Sequence, residues 1–69
     1  MPIVSIRLAR GRSIEQKRHL VAGVTRAVSE ALGVPAGLVS IQIEEFDREN
    51  WATGGELHID SLGPGFGKP

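Results

Sequence analysis

Apolar and polar residues alternate at both ends of a central stretch that repeats every three to four positions instead. In residues 2–9, PIVSIRLA, Val4, Ile6 and Leu8 fall on one side and Ile3, Ser5 and Arg7 on the other. That period of two predicts a β-strand with one covered face. Residues 38–46, LVSIQIEEF, repeat the pattern, with Val39, Ile41 and Ile43 opposed to Ser40, Gln42 and Glu44. Between them Leu20, Val24, Ala27, Val28, Ala31 and Leu32 recur at helical spacing, which predicts an amphipathic helix over 13–32 with these six as its apolar stripe. Ser13 and Gln16 form a capping-box signature at its start. Gly33 and Pro35 stop it.

Strand, helix and strand in this order, with a crossover this long, predict parallel pairing in a right-handed β-α-β unit. Downstream, ENWATGGELHID carries Gly54-Gly55 between short extended pieces, the signature of a small hairpin. GPGFGKP favours neither helix nor strand, so the chain from about residue 63 is expected to be irregular. The predicted fold class is α+β: a single domain over 1–69, a β-α-β protomer with a short C-terminal hairpin.

Such a unit leaves one sheet face, with Ile3, Ser5, Ser40 and Gln42, uncovered by the helix. Two strands are marginal alone, and 69 residues bury little surface. The chain has no cysteine, and its two histidines, His19 and His58, make a poor metal kit. Oligomerisation is the remaining support. Pairing two protomers into a four-stranded sheet with helices on one face would cover the exposed side.

Charge refines this picture. The net charge is zero, against general nucleic-acid binding. No apolar run approaches membrane-spanning length and no signal-peptide pattern opens the chain, so a cytoplasmic protein without membrane contact is expected. Residues 1–40 carry +4, from Arg7, Arg10, Arg12, Lys17, Arg18 and Arg26 against Glu15 and Glu30. Residues 41–69 carry −4. The arginines of RLARGR form a candidate anion site or, equally, a solvated rim.

Three residues stand out chemically. If Met1 is removed, Pro2 becomes a free secondary amine. An α-amine has a reference pKa of about 7.7–8.0, lowered further by apolar surroundings, so it can serve as general base and then acid. Proline is also simply tolerated as the first residue of a strand. Arg12, at the strand–helix turn, is suited to a carboxylate, or is a surface arginine. Trp51, the only tryptophan, either lines a pocket or plugs a core. His58 reads as a hairpin residue, His19 lies off the apolar stripe, and Glu44, Glu45, Asp47 and Glu49 read as a solvated acidic edge.

Taken together, MPIVSI, GRSIEQKRHLVAGVTRAVSEALGVP and ENWATGGEL resemble 4-oxalocrotonate tautomerase and its small relatives in the tautomerase superfamily. The resemblance covers about residues 2–60. It implies a protomer that dimerises through its sheet, a homo-hexamer built as a trimer of dimers, and a small carboxylic-acid substrate with no cofactor. It makes Pro2 the catalytic base of a keto–enol isomerase, Arg12 the carboxylate ligand, and Trp51 the aromatic wall of a pocket shared between subunits. The second arginine of the best-known members is replaced by Ser40, and their basic C-terminal end by HIDSLGPGFGKP. Ser40 and Arg10, or Arg7, are then the residues left to complete the substrate site. A monocarboxylate such as phenylenolpyruvate is accordingly expected to rival the dicarboxylate 2-hydroxymuconate. EQKR and AVSEALG also resemble the α subunit of trans-3-chloroacrylic acid dehalogenase, but its water-activating glutamate corresponds to Thr53. The alternatives are a hydratase or dehalogenase, one chain of a hetero-oligomer, or a non-catalytic oligomeric binding module.

Overall fold

The computed structural model describes residues 1–63. The expected irregular tail therefore lies, beyond Gly63, outside the described residues. Strand β1 spans Ile3–Ala9, helix α1 Ile14–Leu32 and strand β2 Ser40–Phe46. The two strands pair in parallel, in a register running from Ile3 opposite Ser40 to Ala9 opposite Phe46. Both show the alternation read from sequence: Val4, Ile6 and Leu8 with Ile41 and Ile43 are half-buried, whereas Ile3, Ser5 and Arg7 with Ser40, Gln42 and Glu44 are exposed.

Helix α1 begins as the capping box predicts. The Gln16 amide donates to Ser13 Oγ at 3.1 Å, and the Ser13 amide donates to Gln16 Oε1 at 2.9 Å, so two otherwise orphaned amides are satisfied. Gly33 ends it in the left-handed region, at φ 67°, where a Cβ would be strained. Lys17 Nζ meets Glu45 Oε1 at 2.9 Å between helix and sheet. This pair ties α1 to β2 on the covered face.

Two boundaries depart from expectation. Val39 was expected within the second strand, but a 3-10 turn, Ala36–Leu38, precedes it. Its last amide bonds, from Leu38 to the Pro35 carbonyl and from Val39 to the Ala36 carbonyl, delay pairing until Ser40. The helix stripe is also rotated and shortened. Leu20, Val24 and Val28 are half-buried, with Lys17, Val21 and Thr25, but Ala27, Ala31 and Leu32 are exposed. A 19-residue helix is about 28 Å long and a seven-residue strand about 23 Å, so the last helical turn overhangs the sheet.

The hairpin forms as expected. Strands β3, Ala52–Thr53, and β4, Glu56–Leu57, pair antiparallel. Gly54 and Gly55 turn between them with φ 63° and 86°, the double left-handed geometry of a tight hairpin turn. The extended reading of HID does not hold: His58–Ser61 is a single helical turn, α2, closed by the Leu62 amide on the His58 carbonyl at 2.8 Å.

Among the described residues no hydrophobic side chain is fully buried; Arg48, 7% exposed, is the only buried residue. Ile3 stays 64% exposed on the bare sheet face, and Leu32 62% on the overhanging helix turn. The described residues of a lone protomer thus have covered faces but no sealed core, and chains this small bury little surface.

Candidate active site

The two ends of the short sheet carry different residues. At the N-terminal end, the Ser40 amide donates to the Pro2 carbonyl at 3.0 Å. This continues the parallel ladder by one step and anchors half-buried Pro2 at the rim. Ser40 is thereby the immediate neighbour of Pro2, as part of the exposed sheet face. Arg12 lies beyond the opposite end of β1. Seven intervening strand residues span about 23 Å, so Pro2 and Arg12 of one protomer do not share a pocket.

At the Arg12 end, a cleft of about 250 Å3 is lined by Leu8, Arg12, Arg48, Trp51, His58 and neighbouring residues. Trp51 also borders a second cleft, of about 360 Å3, with Arg7, Phe46 and Asn50. The structure thus brings Arg12 and Trp51 together, and Pro2 and Ser40 together, at separate ends.

Arg10 is engaged elsewhere. Its amide donates to the Phe46 carbonyl at 2.9 Å, and its Nε donates to Asp47 Oδ1 at 2.6 Å. The hydrogen bond and charge of Asp47 push the guanidinium pKa above the usual arginine value. Arg7 pairs with Glu44 across the strands at 3.3 Å, on the exposed face.

Two further residues line the cleft. Arg48, absent from the candidates read in the sequence, is one of them. It sits in a 3-10 turn, Arg48–Asn50, and its Nη1 donates to the Gly63 carbonyl at 3.2 Å. Burial first, and the nearby Arg12 charge second, depress its pKa from the ordinary arginine value. Its place three residues before Trp51 was the available signal. His58, read from the sequence as a hairpin residue, is half-buried and lines the cleft. Its ring stacks on Trp51, with centroids 4.9 Å apart and planes at 23°. This contact was written in the hairpin register: a two-residue turn at Gly54-Gly55 sets Thr53 opposite Glu56 and Ala52 opposite Leu57, and the next step outward sets Trp51 opposite His58.

Among the described residues no group of three His, Cys, Asp or Glu side chains is placed to hold a metal ion, and no helix is long and apolar enough to cross a membrane.

The family described as tautomerase enzyme matches residues 2–60, spanning the sheet, the helix and the hairpin together. This chain belongs to the tautomerase family. It is 42% identical over 55 residues to 2-hydroxymuconate tautomerase of Comamonas testosteroni, covering 80% of this chain and 87% of that one. Solved structures agree. A 4-oxalocrotonate tautomerase isozyme of Methylibium petroleiphilum superposes with a TM-score of 0.83 at 37% identity, covering 87% of this chain and 94% of the other. A heterohexameric 4-oxalocrotonate tautomerase of Chloroflexus aurantiacus gives 0.82 at 32% identity, with 87% and 97% covered. A structure from work on trans-3-chloroacrylic acid dehalogenase activity gives 0.73 at 41% identity, with 81% and 97% covered. The chain is thus a tautomerase-family enzyme, an isomerase, with the α+β fold of those neighbours.

Proposed function

We propose that this enzyme interconverts the enol and keto forms of small 2-oxo acids, with Pro2 as the proton carrier after Met1 is removed. The observation that carries the reading is the meeting of Arg12 and Trp51 in one cleft, with Pro2 at the other end of the same strand. Arg12 holds the substrate carboxylate bidentately, and Trp51 supplies the apolar wall that keeps the Pro2 amine neutral. The neutral amine takes the enol hydroxyl proton. The oxygen lone pair forms the carbonyl, the carbon–carbon π pair takes the proton from the ammonium, and the free amine is regenerated. Ser40, beside Pro2, steadies the developing carbonyl oxygen.

Because Pro2 and Arg12 lie at opposite ends of one strand, a complete site combines residues of different protomers. The bare face around Ile3 and the absence of a sealed core support assembly through that face into a four-stranded sheet, and from such dimers into a homo-hexamer. A hetero-hexamer, as described for the Chloroflexus relative, is the alternative assembly. Ser40, in place of a second arginine, favours a monocarboxylate over a dicarboxylate. The dehalogenase likeness supplies the other chemistry, but Thr53 stands at the position of its water-activating acid and is bonded to His58.

The test is intact mass of the purified protein, followed by phenylenolpyruvate ketonisation with and without Pro2→Ala. Loss of Met1 and abolition of turnover by the substitution are expected. Turnover indifferent to Pro2→Ala, or a retained Met1 on active protein, would overturn the assignment.

A further inference from the structure

We propose that His58, fixed by Thr53, is the positioning residue for the Trp51 indole, and that this stack sets which substrate side chains the cleft accepts. The inference rests on the reading of Trp51 as the wall of the carboxylate site.

The geometry is a clamp. His58 lies nearly parallel on the indole, at 4.9 Å and 23°, while Phe46 meets it tilted, at 6.2 Å and 59°. His58 cannot turn freely, because its Nε2 is in hydrogen-bond contact with Thr53 Oγ1 at 2.8 Å. Its amide donates to the Trp51 carbonyl at 2.7 Å, so the backbones beneath the two rings are also joined. Trp51, in extended backbone just before β3, and Thr53 lie two residues apart and therefore share a face. His58 is directly opposite the first and diagonal to the second, the two cross-strand positions whose side chains meet.

The consequence concerns volume. The indole is common to the cleft of about 250 Å3 on the Arg12 and His58 side and the cleft of about 360 Å3 on the Phe46 side. Arg7 is the other residue that lines both, so the setting of the indole bears on the shape of each. An indole held only by Phe46 would swing, and the shape of both clefts would change with it. An imidazole suits the role because one ring supplies both a stacking face and an edge that bonds Thr53.

The experiment uses full-length assembled protein and three variants, His58→Ala, His58→Phe and Thr53→Val. Acrylamide quenching of fluorescence reports on Trp51 alone, since the chain has no other tryptophan. His58→Ala is expected to increase quenching and raise the KM for phenylenolpyruvate about 3- to 10-fold, the size an aromatic pair contributes, with kcat within about twofold. His58→Phe keeps the stack and restores both readouts. Thr53→Val falls between. Wild-type quenching and KM in His58→Ala would overturn the proposal, as would reduced thermal stability with an unchanged KM. If His58→Ala does not assemble, an unchanged KM and quenching in Thr53→Val overturns it. Quenching does not depend on turnover: inactive wild-type protein would sink the tautomerase reading and leave the clamp separately measurable.

Discussion

Pro2 and Arg12 stand at opposite ends of a single seven-residue strand, too far apart to act on one small molecule within a protomer. The Pro2 carbonyl is held by the Ser40 amide at 3.0 Å, and Arg12 opens onto the Trp51 cleft beyond the other end.

That separation predicts complementation between inactive chains. Pro2→Ala and Arg12→Gln proteins are each expected to be severely impaired. Co-expressed, they form sites in which an intact Pro2 meets an intact Arg12 from the other chain, restoring about a quarter of wild-type activity if subunits assemble at random. Ketonisation by the purified mixed assembly measures it. No recovery in mixed assemblies would refute a shared site.

Arg10 and Arg12 should separate cleanly in kinetics. Arg12→Gln is expected to lower kcat/KM about 10- to 100-fold, the size of a charge-assisted hydrogen bond. Arg10→Gln should cost much less, because that guanidinium is engaged by Asp47 at 2.6 Å. The pair raises the Arg10 pKa, so its stabilising effect is fully present below the unfolded arginine value and is lost only as pH rises through the still higher folded value. The stability difference between wild type and Arg10→Gln, measured by urea unfolding, should therefore be flat from about pH 6 to 9.

Lys17 and Glu45 join helix to sheet with side chains only 26% and 19% exposed. Glu45→Ala leaves a partly covered ammonium without this partner, and a loss of about 1.5–3 kcal/mol is expected from urea unfolding of the assembled protein. Lys17→Met in the same background should recover part of it, since the unpaired charge is then gone.

The capping box acts on the site as well as on the helix, because Arg12 immediately precedes Ser13. Ser13→Ala is expected to cost about 1 kcal/mol of stability. It should also raise KM more than it lowers kcat, since Arg12, the proposed carboxylate ligand, then hangs on a frayed first turn. Ser13→Asp, another good cap, should restore stability.

Short-range chemistry accounts for the features legible in the sequence. The first strand, the Ser13–Gln16 cap, the Gly33 stop and the Gly54-Gly55 turn depend on residues a few positions apart, and each appears where its spacing requires; the second strand does so from Ser40 onward. Even the Trp51–His58 stack was implicit, since a two-residue turn dictates which residues face each other.

Other features depend on how elements of different length and direction come to rest. Helix α1 outruns the sheet, so Leu32 belongs to the apolar repeat yet remains exposed. The turn Ala36–Leu38 delays β2 past Val39, and the chain after Leu57 coils into α2, closed by the Leu62 amide on the His58 carbonyl. Arg48 enters the cleft only through the fold around Gly63. The sequence by itself determined the elements, the candidate base and the candidate carboxylate ligand, because these follow from short-range pattern and residue type. What needed the folded chain is the company Arg12 keeps: Arg48, Trp51 and His58 reach its cleft from the far side of the second strand, and contacts between residues so distant in sequence follow from packing, not from short-range pattern.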